Sequence, residues 1–247
     1  MINEEHIKNT PVHNKPFQYF YVDGHVFTDD FYKTLINNLP DISHYNPMMH
    51  PEAIVDDNYS SRDYFILTRE KSIELSEKVH PIWGELFNIL DGNELQSLLH
   101  GKLKDDIEKR HKKSYKDISC KKEIQIIRDS LGYKILPHPD GGLKFVSCLI
   151  YLPEDNSHPH LGTNIYEESI NGKHTGSYGK KDNEKSNHKD KAFDIIRRCE
   201  FKPNSMTCFA VSNKSWHGVD EMKEKYTRNC IQLFYQKRKD KKETILK

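Results

Sequence analysis

Cysteine is scarce in this sequence and follows no pattern. Cys120, Cys148, Cys199, Cys208 and Cys230 are odd in number, widely spaced and without any Cys-x-x-Cys pair. A disulfide framework and a zinc knuckle are thereby excluded, and reduced thiols are expected. Long hydrophobic runs are also missing. No stretch approaches the ~18 apolar residues that a membrane-spanning helix needs, and the opening MINEEHIKNT carries no signal-peptide core. The expectation is a cytoplasmic protein without a membrane span. An excess of one charge sign is absent as well, since 38 Lys and Arg stand against 37 Asp and Glu. No specific nucleic-acid partner is expected from that balance. Leu, Ile, Val and Phe still make up roughly a quarter of the chain, above the ~20% floor below which disorder is the better expectation. A folded enzyme or binding module remains.

Local patterns divide the chain in two. Phe17–Val22 is rich in β-formers, Thr28-Asp29-Asp30 offers a helix start, and Pro40 stops the helix carrying Phe31, Leu35, Ile36 and Leu39. Apolar residues at Ile73, Val79, Ile82, Trp83, Leu86, Phe87 and Leu90 have helical spacing, which Pro81 divides or kinks. Leu95, Leu98, Leu99 and Leu103 begin another helix. Residues 102–122 carry nine Lys or Arg against four acids and read as a solvated helical tail and loop. From Ile124 onward the character is β. Segments 124–128, 133–136, 145–152, 162–166, 206–211 and 228–235 read as short strands separated by turns. Between them, 167–191 is nearly devoid of apolar residues and reads as a mobile, lid-like insertion. Helices followed by an all-β half imply an α+β protein, mainly β in its core, built as a helix-flanked sandwich or small barrel. One domain spanning 1–247 is expected: supporting elements in 1–123, a β core in 124–236 and a basic tail in 237–247.

The informative stretch is Gly132-Tyr-Lys-Ile-Leu-Pro-His-Pro-Asp-Gly-Gly142 with the strand that follows it. His138 and Asp140 are two apart, so on extended backbone their side chains leave one face and can share a metal. Gly141-Gly142 marks a turn just beyond them, and Pro139 suits a strand end. His217 lies in Ser-Trp-His-Gly-Val, 79 residues after His138. Two histidines and one carboxylate form the facial set that holds non-haem Fe(II) with three positions open. Arg228 opens the strand Arg-Asn-Cys-Ile-Gln-Leu-Phe-Tyr, where a guanidinium is suited to two-point capture of a carboxylate.

On these residues the sequence resembles the Fe(II)/2-oxoglutarate-dependent dioxygenase superfamily, in particular its prolyl-4-hydroxylase-like branch. GYKILPHPD, FVSCLIYLP, LGTNIYE, FKPNSMTCFAVSNKSWHGV and RNCIQLFY carry the resemblance, from Ile124 to Tyr235. It implies a double-stranded β-helix, the cupin-like jelly roll, flanked by N-terminal helices. It implies His138, Asp140 and His217 as iron ligands and Arg228 as partner of the 2-oxoglutarate C5 carboxylate, with Tyr151 bonded to the same group. O2 is the implied second cosubstrate, and ascorbate a reductant. The implied reaction hydroxylates an unactivated C–H bond of a small polar, glycan-like or peptidyl substrate and releases succinate and CO2. Retention of Asp140 favours hydroxylation over halogenation, since halogenating relatives replace that carboxylate. Cys230 stands where relatives often have Ser or Thr, and Gly162-Thr163 where a Gly-Gly pair is common.

Further residues are candidates with weaker grounds. Arg128 is placed to contact an anionic substrate or a carboxylate behind the ligands, and Trp216 to pack beside His217 and orient its loop. His158 and His160, in His-Pro-His, form a possible metal pair without a third ligand nearby in sequence. His174 and Tyr178 fall in the insertion. Two other readings compete: a zinc-dependent hydrolase on the same three ligands, and a non-catalytic jelly-roll binding module.

Overall fold

The computed structural model describes residues 1–49, 53–56, 59–176, 178–181, 184–187 and 191–237. The helices are α1 (Glu4–Asn9), α2 (Asp29–Asn37), α3 (Arg69–Lys78), α4 (Ile82–Asp91), α5 (Asn93–Lys102) and α6 (Lys104–His111). The strands before the β half are β1 (Tyr19–Val22), β2 (Asn46–Pro47), β3 (Ile54–Asp56), β4 (Tyr59–Ser60) and β5 (Arg62–Ile66). Then come β6 (Cys120–Asp129), β7 (Ile135–His138), β8 (Lys144–Tyr151), β9 (Thr163–Glu168) and β10 (His174–Thr175). The last are β11 (Tyr178–Lys181), β12 (Glu184–Asn187), β13 (Ala192–Cys199), β14 (Ser205–Ala210), β15 (His217–Val219) and β16 (Arg228–Lys237). Among the described residues no helix is long and apolar enough to cross a membrane, and none of the five cysteines is in a disulfide.

Two antiparallel sheets form the jelly roll that the sequence implies. The larger has the order β1-β14-β8-β16-β6-β5-β2 and the smaller β10-β13-β9-β15-β7. Successive strand residues point to opposite faces, and the large sheet uses that period to serve two cores. Val146, Cys148 and Ile150 of β8, Met206 and Cys208 of β14, Ile231 and Leu233 of β16, and Ile124 and Ile126 of β6 face the helices. There they meet Trp83, Leu86 and Leu90 of α4 and Leu99 of α5, all fully buried. The alternate residues Leu149, Tyr151, Phe209, Cys230 and Ile127 line the space between the sheets. Arg228 and Tyr151 stand on that second face.

The 72–90 segment is divided at Pro81, as the sequence implies, into α3 and α4. Other sequence expectations need adjusting. The insertion is not a structureless loop: β10 pairs with β13, and β11 pairs with β12 as a hairpin. These strands are short and carry Lys, Asn, Gly and Ser, so backbone ladders hold them without an apolar period to betray them. Strand β13 was likewise not expected, since a bulge between Ile195 and Arg197 breaks its alternation.

The basic run 102–122 is partly structural. Lys102 Nζ donates to the carbonyls of Lys8 and Thr10, and Lys122 Nζ to those of Asp91 and Gly92. Arg110 donates to the carbonyls of Lys144, Val211 and Gly142. These cations tie separate segments of the chain together through backbone carbonyls. Of the basic tail, everything after Lys237 lies outside the described residues.

Candidate metal and cosubstrate site

The site begins where β7, an edge strand of the small sheet, meets its neighbour β15. His217, the first residue of β15, lies opposite His138, the last of β7, in antiparallel register. Their rings stand 4.3 Å apart, centroid to centroid. The approach depends on the glycine of the Trp-His-Gly motif, since a Cβ on Gly218 would sit 2.4 Å from the Ile135 carbonyl oxygen. Asp140 follows two residues after His138, and its Oδ2 is 3.9 Å from His217 Nε2. One ligating atom from each of the three falls within 4.8 Å of the others.

Each candidate ligand is oriented by its own neighbours. Nδ1 of His138 lies 3.0 Å from the Leu136 carbonyl oxygen, and Nδ1 of His217 lies 2.9 Å from that of Ser215. Both rings therefore donate from Nδ1 to backbone, which makes Nε2 the lone-pair nitrogen, as a metal ligand requires. Asp140 accepts from Lys144 Nζ at 2.7 Å and from the Ser147 hydroxyl. Burial acts to raise the Asp140 pKa, but Lys144, His217 and His138 outweigh it and hold the carboxyl well below its usual range. Burial lowers the pKa of His217, with Asp140 opposing. A neutral imidazole beside an ionised carboxylate is the protonation state that a divalent cation selects. Two imidazoles and one carboxylate on one side of a cation fit Fe(II) with three further positions open.

Arg228 opens β16 of the large sheet and has the same strand parity as Cys230, which turns inward between the sheets. It is fully buried. Its Nε donates to the Leu161 carbonyl and its Nη1 to Asp129 Oδ2, both at 2.6 Å. Nη2 has neither solvent access nor a hydrogen-bond partner. A buried guanidinium donor left in that state is costly and calls for an acceptor. Arg62 approaches Asp129 from β5, with Nε at 2.5 Å from Oδ1 and Nη2 at 2.9 Å from Oδ2. The Arg62 guanidinium also stacks 4.2 Å from the Tyr133 ring centroid. Two guanidinium groups thus share one carboxylate, and the buried cluster keeps one positive charge in excess. A ligand carboxylate fits both the orphaned donor and the charge.

The hydroxyl of Tyr151 lies 2.7 Å from Thr163 Oγ1 and 2.8 Å from Thr207 Oγ1. The Tyr151 hydroxyl donates to Thr163, and its bond with Thr207 can run in either direction, since a phenol offers one donor and two acceptor positions. The Tyr151 ring centroid is 5.7 Å from the Arg228 guanidinium carbon. Burial raises the Cys230 thiol to about 11, so it stays protonated beside Arg228.

The structure gathers His138, Asp140 and His217, and sets Arg228 and Tyr151 together on the inward face. Trp216 is buried against Phe193, with centroids 4.5 Å apart, directly before His217. Arg128 is not brought to this group. It lies in register between Asp63 and Asn229, on the β6 face of Ile124 and Ile126 that turns to the helices. Its neighbour Asp129 has the inward parity. His174 sits edge-on to Tyr166 at 5.3 Å, and Tyr178 lies in the hairpin. Sequence reasoning missed Asp129, Arg62, Ser147, Thr163 and Thr207. Ser147 and Thr207 did carry a signal, as polar residues inside the otherwise apolar runs FVSCLIY and SMTCFA.

No protein-family model matches the chain, and no curated protein matches it by sequence. Solved structures do match. A prolyl 4-hydroxylase from Phytophthora capsici superposes with a TM-score of 0.54 at 11% identity, over 100% of this chain and 73% of that one. A prolyl-4-hydroxylase from Pseudomonas putida does so at 0.53 and 12%, over 90% and 93%. The non-haem alpha-ketoglutarate-dependent carbocyclase SnoK from nogalamycin biosynthesis follows at 0.51 and 9%, over 89% and 79%. The chain shares the jelly-roll fold of these proteins.

Proposed function

We propose that this chain is an Fe(II)- and 2-oxoglutarate-dependent oxygenase that hydroxylates an unactivated C–H bond. The observation that carries the reading is an interior between the two sheets that is lined both by an oriented His-Asp-His set and by a buried arginine with an unanswered donor. Fold alone does not assign a reaction. The site residues do that, and the prolyl-4-hydroxylase likeness agrees with them. His138, Asp140 and His217 would hold the iron through Nε2, a carboxylate oxygen and Nε2. Arg228, with Tyr151 beside it, would take the far carboxylate of 2-oxoglutarate. Iron with 2-oxoglutarate supplies the oxidative chemistry that turns C–H, O2 and the keto acid into C–OH, succinate and CO2.

The chain's own residues prepare that reaction. Leu136 and Ser215 carbonyls fix both imidazole tautomers, and Lys144 with Ser147 fixes the direction of the Asp140 carboxylate. Arg62 and Asp129 hold the Arg228 guanidinium in one orientation. Aromatic side chains fill the remaining interior: Phe17, Tyr133, Phe201 and Phe209 are all buried there. They keep bulk water from the cosubstrate carboxylate, which strengthens its pairing with Arg228. Substrate would enter at the triad end, beneath the insertion that contains β10, β11 and β12. A small polar, glycan-like or peptidyl molecule is the class we assign. A zinc-dependent hydrolase would use the same three ligands but would leave the buried Arg62–Asp129–Arg228 cluster without a purpose.

The test is direct. Protein loaded with Fe(II) and ascorbate is expected to bind 2-oxoglutarate and to convert it to succinate in equal amount when O2 is admitted. Asp140→Ala is expected to abolish the conversion. Failure of the metal-loaded protein to bind 2-oxoglutarate overturns the reading.

A further inference from the structure

A second group of metal-ligating side chains lies outside the triad. His158 and His160 flank Pro159 in the turn that leads to β9, and Glu224 stands in the segment before β16. One nitrogen of each imidazole and one carboxylate oxygen lie within 4.8 Å of one another. His160 Nε2 is 2.9 Å from Glu224 Oε1. The other oxygen, Glu224 Oε2, is closed off from solvent and has no hydrogen-bond partner. The His160 and Glu224 side chains are otherwise about half-exposed, so a cation reaches them from solvent. The His158 ring is held on its far side by Tyr226, with centroids 4.1 Å apart. Ligands at ~2.0–2.2 Å from a tetrahedral ion stand about 3.4 Å from one another. Small side-chain rotations therefore bring the three onto one cation.

We propose that His158, His160 and Glu224 form a second divalent-cation site of the Zn(II) type, with a fourth position left to water. Paired imidazoles select Zn(II) or Co(II) over Ca(II) and Mg(II), which take oxygen ligands. Fe(II) stands below both ions in the general affinity order for such donors. Both sites offer two imidazoles and one carboxylate, so Zn(II) or Co(II) is expected to occupy either in a titration. The second site's position makes it a clip. His160 and Glu224 are 64 residues apart in sequence, and a shared ion joins the 158–161 turn to the 220–226 segment. That turn also supplies the Leu161 carbonyl that accepts from Arg228 Nε. The His160 carbonyl accepts from Arg198, which in turn pairs with Asp220. An ion at the clip therefore steadies the wall of the Arg228 pocket without touching the reacting centre.

The experiment uses the full chain, stripped of metal and titrated with Zn(II) and separately with Co(II). The unaltered protein is expected to bind two equivalents. The His138→Ala/His217→Ala variant is expected to keep one, and the His158→Ala/His160→Ala variant also one. Glu224→Gln preserves size and removes the charge, and it is expected to weaken the second equivalent at least tenfold. In the His138→Ala/His217→Ala background, Tm is expected to rise with Zn(II) concentration, as ion binding to the folded state requires. Adding Glu224→Gln to that background removes the rise. A single equivalent in the unaltered protein overturns the proposal. So does a second equivalent that survives undiminished in the His158→Ala/His160→Ala variant.

Discussion

Arg62 and Arg228 share one carboxylate, that of Asp129, in a region from which water is excluded. Each guanidinium alone would be neutralised by Asp129; together they leave an excess positive charge and the orphaned Nη2 of Arg228. Removing Arg62 lets Asp129 neutralise Arg228 fully and weakens the attraction for an anion. We expect Arg62→Met to raise the 2-oxoglutarate Kd about tenfold, or about 1.4 kcal/mol, with metal affinity unchanged. Arg62→Lys keeps the charge and is expected to lose less. Isothermal titration of the metal-loaded variants decides this, and an unchanged Kd removes Arg62 from the role. Asp129→Asn leaves two like charges buried together and is expected to cost about 3–5 kcal/mol of stability.

The Tyr151 hydroxyl is tied to two threonines from different sheets, Thr163 of β9 and Thr207 of β14. Tyr151→Phe strips both hydroxyls of a buried partner and is expected to lower stability by about 1–3 kcal/mol. In the proposed cosubstrate complex the Tyr151 proton turns from Thr163 to the bound carboxylate, so the 2-oxoglutarate Kd is expected to rise about tenfold or more in the variant. Urea denaturation and cosubstrate titration separate the two effects. A stability loss with unaltered 2-oxoglutarate affinity would assign Tyr151 a purely structural role.

Gly218 carries no chemistry, yet the close approach of His217 to His138 depends on it. A methyl at this position would sit 2.4 Å from the Ile135 carbonyl oxygen and 3.2 Å from the Tyr166 ring. Backbone must shift to relieve that overlap, and the shift separates His217 from His138. Gly218→Ala is expected to weaken Mn(II) or Fe(II) binding at least tenfold, since ligands need placement within about 0.5 Å. Metal titration with circular dichroism as a folding control checks this. Native metal affinity in a folded variant contradicts it.

His100 reports on acid stability away from the site. It is 2% exposed, with its ring against Phe145 and Tyr235, and its Nε2 has no hydrogen-bond partner. Burial, aided by Lys122, lowers its pKa from 6.5 to about 4. The folded state therefore resists a proton that the unfolded chain accepts. Stability is fully present above pH 6.5 and falls as pH drops toward 4, by about 3 kcal/mol in all. His100→Leu is expected to flatten the urea midpoint across that window. An acid limb as steep as that of the unaltered protein would assign the loss to other groups.

The triad was legible because its members carry their own local signals. His138 and Asp140 share a face by the period of two, a turn follows them, and His217 sits in a short motif between strands. Arg228 was legible as the opening residue of a strand. The partner that makes Arg228 useful was not. Arg128 and Asp129 are adjacent, and which of them faces inward depends on the register of β6 between β5 and β16. One step along a strand exchanges the two faces, and sequence pattern alone did not settle that step. Arg62 was hidden for a similar reason, since β5 is a short strand placed by its pairing with β6.

The sequence by itself determined the alternation that builds two cores on one sheet, the break at Pro81, and the candidate ligands His138, Asp140 and His217. These follow from side-chain period, backbone limits and donor chemistry, which are local properties. Only the tertiary structure decided which charges meet in the interior. It put Arg62, Asp129 and Arg228 together, set the Tyr151 hydroxyl between two threonines, and brought Glu224 to His158 and His160. Those contacts join residues far apart in the chain, and no local preference encodes them. They arise from the register of antiparallel strands, which the packing of both sheet faces fixes at once.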